Sequence, residues 1–485
     1  MLDFVIFAFT AVVGLIVILL FCYFSGSNSK AKPVLISAQS TETIPRWNEP
    51  PAHEEKGDLE VMMTKYGSLH QFLLHLHDNG RVPVSSFWWG KTHVVTLCSP
   101  QAFKESVLFV NRPRELFWGF EPLITKYSIQ YANDEDWVQR SKLLFPTLKG
   151  EDLKSYFPHF VQIALETEVV WENLSSTEEV LIRKHAFPIA IKGITRSCLG
   201  DIFENDDELR RLTDAYHICW RTMEEGAPES GSERERLFLT ARGVIEEIIR
   251  KIVAARREGK GHQDIPFIDA MLQHYDSDDK ITADVISFLV GGFHTSGYMI
   301  TWLLWYLADN PQSQDRLCAE IVHETSGGRG DALQQYALRT DTYLRQVQDE
   351  TIRLSTLAPW AARYAAQDVG VVGYKIPRGT PMIHALGVGL KNQVVWGDTV
   401  DKWDPDRFDP KGRRGNEFCP FGVHSKRKCP GYQFSYFEVG VIISILLQRF
   451  TIVPVPGQDV IQVHGLVTEP RDDIRVYITS RDRGD

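Results

Sequence analysis

Phe418-Cys419-Pro420-Phe421-Gly422-Val423-His424-Ser425-Lys426-Arg427-Lys428-Cys429-Pro430-Gly431 is followed by an amphipathic segment, Tyr432 to Phe450, rich in Ile, Leu and Val at helical spacing. Cys429 therefore stands at the end of a basic, glycine-bearing loop and directly before a proline-initiated helix. Proline suits the first helical position, and the free N–H groups and positive dipole end of a helix favour negative charge beside them. Lys426, Arg427 and Lys428 act in the same direction, so Cys429 is expected to be a thiolate. The ordinary alternative is a half-buried structural cysteine at a helix start. An anionic sulfur with a use is best known as the axial ligand of a haem iron.

Three further signatures bear on that choice. Glu350-Thr351-Ile352-Arg353 sets an acid and a base three apart on one face of a helix expected from Thr342 to Ser355. Asp404-Pro405-Asp406-Arg407-Phe408 offers a second guanidinium just ahead of the Cys loop. An Arg fork bonds a carboxylate bidentately, so Glu350, Arg353 and Arg407 are expected to form a buried three-way pair that pins the loop to the helix. Gly291-Gly292-Phe293-His294-Thr295-Ser296 lies inside a long apolar segment, Thr282 to Asn310. Each mid-helix glycine costs about 1 kcal/mol relative to Ala, which points to something flat or bulky pressed against that helix.

In this order and at these separations, the motifs resemble those of cytochrome P450, the haem-thiolate monooxygenases, over nearly the whole chain. Met1-Leu2-Asp3-Phe4, Gly67-Ser68-Leu69-His70, Ala385-Leu386-Gly387-Val388 and the altered Cys loop are similar to the family-20, subfamily A, animal branch. The resemblance implies a mainly α fold with small β-sheets and a haem b, iron protoporphyrin IX, with Cys429 as its axial thiolate. It also implies Phe421 as the aromatic of the cofactor loop, and Arg427, Arg363, Trp137 and Arg140 as neutralisers of the haem propionates. For each Arg the alternative is a solvated surface charge. The family usually spaces that Trp and Arg four apart, whereas Ser141 stands at the expected place here and Arg140 is three away. Thr295 is implied to order water at the oxygen side. His294, standing where the family has an acid, would relay protons, since an imidazole titrates near neutrality; its alternatives are packing on the helix's far side or lining the substrate pocket. A second departure is in the loop, where Phe421 is eight residues before Cys429 instead of seven and Ser425 replaces a glycine. That change is expected to alter the turn and the hydrogen bonds that tune the iron.

Composition bounds the reading. The 485 residues are 43% hydrophobic and 24% charged, and carry a formal charge of −10. No basic footprint for nucleic acid is present. Seven cysteines without a CxxC pair suit a reducing compartment. Phe4 to Phe24 is an uncharged apolar run, long enough at ~1.5 Å per residue to cross a bilayer. We therefore expect a transmembrane anchor at 1–24, a linker at 25–50 and one catalytic domain at 51–485. Lys30 and Lys32 place that domain in the cytosol, and the resemblance implies the endoplasmic reticulum.

Along the chain, Ser68-Leu69-His70-Gln71 has capping-box spacing, and Val84–Trp89 with His93–Leu97 reads as a hairpin about Gly90. Tyr156–Leu174, Arg234–Arg257 and Thr282–Asn310 read as helices, the last two separated by the polar turn Asp276–Lys280; short strands follow Arg363. No flavin or nicotinamide fingerprint is present, so electrons must arrive from an NADPH-dependent flavoprotein reductase, with cytochrome b5 as a further candidate. Lys411, Arg413, Arg414, Lys426, Arg427 and Lys428 form a basic cluster that would steer an acidic partner. The pocket is implied to be lined from residues 111–125, the Phe293 region, Leu357–Ala362 and Leu466–Val467. The expected activity is insertion of one oxygen atom into a hydrophobic, lipid or sterol-like substrate reaching the site from the bilayer. The competing readings are a haem-thiolate isomerase or dehydratase of lipid peroxides, and a haem-binding protein with little turnover.

Overall fold

Apolar residues recurring at helical spacing make most of this chain helical, with extended segments confined to its edges. The computed structural model describes residues 43–46, 51–200, 206–226, 228–259, 265–410 and 417–481. The expected Phe4–Phe24 anchor and all of the 25–50 linker but residues 43–46 lie outside the described residues, within which no helix is long and apolar enough to cross a membrane. Eight helices carry the argument: α1 (Asp134–Leu144), α2 (Phe157–Glu172), α3 (Arg183–Cys198), α4 (Asp206–Glu224), α5 (Glu233–Arg257), α6 (Asp278–Asp309), α7 (Tyr343–Ser355) and α8 (Tyr432–Leu447).

The 32-residue α6 is the axis of the molecule. It starts four residues before the expected Thr282, because the Ser277 hydroxyl caps it by accepting from the Asp279 N–H at 3.2 Å and two acids occupy its first turn. A further short helix, Pro266–His274, fills part of the chain between α5 and α6. α2 and α8 pack across the core through Phe160, whose ring meets Phe434 and Phe437 edge-on at 5.3 and 5.7 Å. α8 begins at Tyr432 behind Gly431, so Pro430 precedes the helix and does not open it.

The hairpin forms as expected from strands β1 (Val84–Trp89) and β2 (Thr92–Leu97), turning at Gly90 with φ of 59°. β2 runs parallel to β4 (Pro381–His384), which pairs antiparallel with β3 (Ala361–Tyr364), giving the order β1-β2-β4-β3. This sheet fixes Arg363 opposite Met382. The Ser68 hydroxyl caps its helix by accepting from the Gln71 N–H at 3.2 Å.

Glu350 and Arg353 are both fully buried on α7 and bond bidentately at 2.6 and 2.8 Å. Arg407 Nε approaches the same carboxylate at 3.4 Å, and the Asp404 N–H donates to it at 3.0 Å. Arg353 also donates to the carbonyls of Leu390 and Val400 at 3.2 and 2.7 Å. The cluster therefore ties α7 to the segment that leads into the Cys loop. Removing the shared acid strands two guanidinium groups, and breaking a buried pair in this way costs ~3–5 kcal/mol. Glu350→Ala is expected to lower the thermal unfolding midpoint sharply or to yield insoluble protein, and scanning calorimetry against wild type checks it.

Candidate active site

A cavity lies between α6 and the Cys loop. Gly291, Gly292, Thr295 and Ser296 form one wall, and Phe421, Gly422 and Cys429 the other. Cys429 and Gly291 both carry accessible surface although they sit deep in the fold, because both open onto this space. The two glycines have different reasons. A Cβ on Gly291 would meet nothing within 4 Å, whereas one on Gly292 would strike the Ile194 side chain of α3 at 2.9 Å. Gly291 thus keeps the cavity wall flat, and Gly292 lets two helices approach.

The loop with its extra residue is closed by a turn at its start and a longer-range bond at its end. The Gly422 N–H donates to the Cys419 carbonyl at 3.1 Å, and the Cys429 N–H closes back on the Phe421 carbonyl at 2.9 Å. Gly422 has φ of 93°, while Ser425 avoids the left-handed region and accepts from the Arg427 N–H on its hydroxyl at 3.2 Å. Serine at the usual glycine place is therefore accommodated. Burial raises the Cys429 thiol above its ordinary value, and the Gly431 N–H, Arg112 and Lys428 pull it back only in part. Lys426 is exposed, and Lys428 lies over the Tyr432 ring at 3.8 Å. A cation bound at the sulfur would add to the pull of these groups toward the thiolate.

Three guanidinium groups, Arg112, Arg363 and Arg427, line one end of the cavity, and each has a buried N–H without a partner. Arg427 is held by the carbonyls of Ile129 and Ala132 at 3.1 and 2.9 Å, with its guanidinium over the Trp137 ring at 4.7 Å. Arg363 donates to the Arg427 carbonyl at 3.0 Å. Burial and the neighbouring Arg112 and Arg363 depress Arg427 to about 7, and burial lowers Arg112 to about 10. Cations this close, with unpaired donors and no carboxylate bonded to them among the described residues, fit a flat group with two negative charges. Haem, with its two propionates, is such a group.

The cytochrome P450 family pattern matches residues 59–473. The chain belongs to the cytochrome P450 family. It is similar to cytochrome P450 20A1 of Rattus norvegicus, at 29% identity over 99% of this chain and 100% of that protein, and of Bos taurus, at 27% over the same shares. It is also similar to the bifunctional cytochrome P450/NADPH–P450 reductase 2 of Bacillus subtilis, at 22% identity over 82% of this chain and 38% of that protein. Cytochromes P450 are haem-thiolate monooxygenases, and in this one the cavity gathers Cys429, Phe421, Thr295, Trp137, Arg363 and Arg427.

Two expected residues do not join them. Arg140 is absent from the lining and is committed to Asp284, fully buried on α6, and to the Tyr127 carbonyl at 2.9 Å. His294 leaves α6 on the opposite flank, stacked on Trp220 at 4.0 Å with Nδ1 3.3 Å from the Tyr216 hydroxyl. Burial lowers it to about 3, so it is a neutral packing residue. Phe293 likewise packs away from the cavity, edge-on to Phe187 and Tyr216 at 5.3 and 5.1 Å. Conversely, Arg112 was missed, because a lone Arg in an irregular loop has no spacing to mark it. So was Glu438, a buried carboxyl on α8 that accepts from the Ser296 hydroxyl at 2.8 Å. The geometry sorts the arginines. Losing one charge-assisted bond costs ~1.5–3 kcal/mol, so Arg363→Ala and Arg427→Ala should each weaken haem retention by about tenfold or more. Arg140→Ala should instead leave the haem content unchanged and lower the unfolding temperature, both read on purified protein by absorbance and thermal melts.

Proposed function

We propose that this protein is a single-pass, endoplasmic-reticulum cytochrome P450 with its domain, residues 51–485, in the cytosol, inserting one oxygen atom from O2 into a hydrophobic, lipid or sterol-like molecule. The uncharged run Phe4–Phe24 supports the anchor. The observation that carries the chemistry is the cavity in which Cys429 opens opposite Gly291 and Thr295 beside three unpaired guanidinium groups. Cys429 would ligate the iron. Arg112, Arg363, Arg427 and Trp137 would hold the propionates. When bound, haem supplies the redox-active metal for reductive cleavage of dioxygen. Apolar residues at the cavity, among them Ile129, Phe288, Leu357, Ala358 and Trp360, support a hydrophobic substrate.

Proton handling falls to other residues than His294. The Thr295 hydroxyl donates to the Gly291 carbonyl, which leaves its oxygen at the cavity wall to order water. Burial pushes Glu438 up to about 8, so it keeps its proton at neutral pH. We assign it as the acid that feeds Ser296, and through that hydroxyl the water of the cavity. Electrons come from an NADPH-dependent flavoprotein reductase, with cytochrome b5 as a second donor. Lys426 and Lys428 remain of the expected docking cluster, while Lys411, Arg413 and Arg414 lie outside the described residues.

The experiment is reconstitution with reductase, NADPH and isotopically labelled dioxygen over a panel of lipids and sterols. One labelled oxygen atom per product, absent without reductase, is expected. Glu438→Gln should lower the product formed per NADPH several-fold, and His294→Ala should leave that ratio unchanged. Product made without reductant, or an isomer carrying no new oxygen, would sink the monooxygenase reading in favour of rearrangement chemistry.

A further inference from the structure

On the flank of α6 that carries His294 lies a second recess of about 980 Å3, bounded by α3, α4, α6 and the chain near Glu469 and Asp473. Its inner wall is aromatic. Phe187 meets His294 and Tyr298 edge-on at 5.4 and 4.9 Å, and Trp220 covers His294. Its rim leaves Ile218 and Leu237 41% and 52% exposed, apolar surface kept in water at no gain to the fold. Six carboxylates line it, Glu224 and Glu469 among them.

The charge balance here is the reverse of that at the haem cavity. Three bases on the recess are already committed: Arg183 to Asp473 at 2.8 Å, Arg210 to Asp207 at 2.6 Å and Arg234 to Glu225 at 3.7 Å. Lys184 and Arg221 remain, both at the exposed surface. Among the described residues, Glu224 and Glu469 form no ion pair with a base, and the Tyr298 hydroxyl donates to Glu469. Crowding by protein and the nearby Glu469 raise Glu224 to about 6, and the Trp220 N–H and the Arg221 charge offset this only in part.

We infer that this recess binds a lipophilic ammonium, its cationic nitrogen between Glu224 and Glu469 beside the Trp220 and Phe187 rings and its apolar part over Ile218 and Leu237. The site is separate from the haem cavity, since α6 stands between them and none of these six residues lines the other space. A quaternary nitrogen has no lone pair and cannot ligate iron, so occupancy here is distinguishable from ligation of the haem.

The test is titration of the full-length, haem-loaded protein with octyltrimethylammonium below its micelle-forming concentration, followed by calorimetry and by the haem absorption band. Saturable binding is expected, at least tenfold weaker in the Glu224→Gln/Glu469→Gln double variant. Ile218→Gln, which leaves both acids in place at an exposed position, should weaken it as well. Octylsulfonate, with the same chain and the opposite charge, should not compete. No saturable binding, equal binding by octylsulfonate, or affinity unchanged in both variants overturns the inference.

Discussion

Buried positive charge without a partner is the constraint on which this structure turns. Arg112, Arg363 and Arg427 face one space, depress one another's basicity and retain N–H groups bonded to nothing in the protein. Such an arrangement is expensive in an empty protein and favourable around a dianion. The fold is built to hold it. β3 carries Arg363, the Cys loop carries Arg427, and the carbonyls of Ile129, Gln130 and Ala132 anchor the Arg427 guanidinium from the far side. The same loop that supplies Arg427 delivers Cys429 two residues later, so the proposed charge neutralisation and metal ligation would share one short stretch of backbone.

α6 divides the molecule's chemistry by its faces. Gly291 and Thr295 turn to the haem cavity, Gly292 to α3, and His294 and Tyr298 to the recess under α4. Because successive residues on a helix point about 100° apart, His294 and Thr295 face different spaces. Glu438 on α8 is then the buried carboxyl bonded to the neighbouring Ser296. Burial without a cation near it among the described residues keeps it neutral, and its position against Gly193, where a Cβ would lie 1.8 Å from its Oε1, confines it closely.

Much of this was legible in the sequence where local rules act alone. Ser68 and Gln71 announce a cap, Val84–Trp89 a hairpin strand, and Glu350 with Arg353 a helix face, because capping, alternation and i,i+3 spacing need no knowledge of distant neighbours. What was misread depends on tertiary context. Trp137 and Arg140 look like a pair, but Asp284, 144 positions further along the chain, captures Arg140, which spacing cannot disclose. The direction of His294 follows from how α6 packs on α3 and α4. At Cys429 the Gly431 N–H and Lys428 act as the sequence suggests, while burial, which the sequence does not display, works against the charge.

Everything rests on Cys429 as the ligand of a haem iron. The most direct measurement is the absorption spectrum of the reduced protein with carbon monoxide, comparing wild type with Cys429→Ser. The account predicts the long-wavelength band of thiolate-ligated haem in the wild type and its loss in the folded variant. Folded wild type without haem, or the same band surviving in Cys429→Ser, would contradict it.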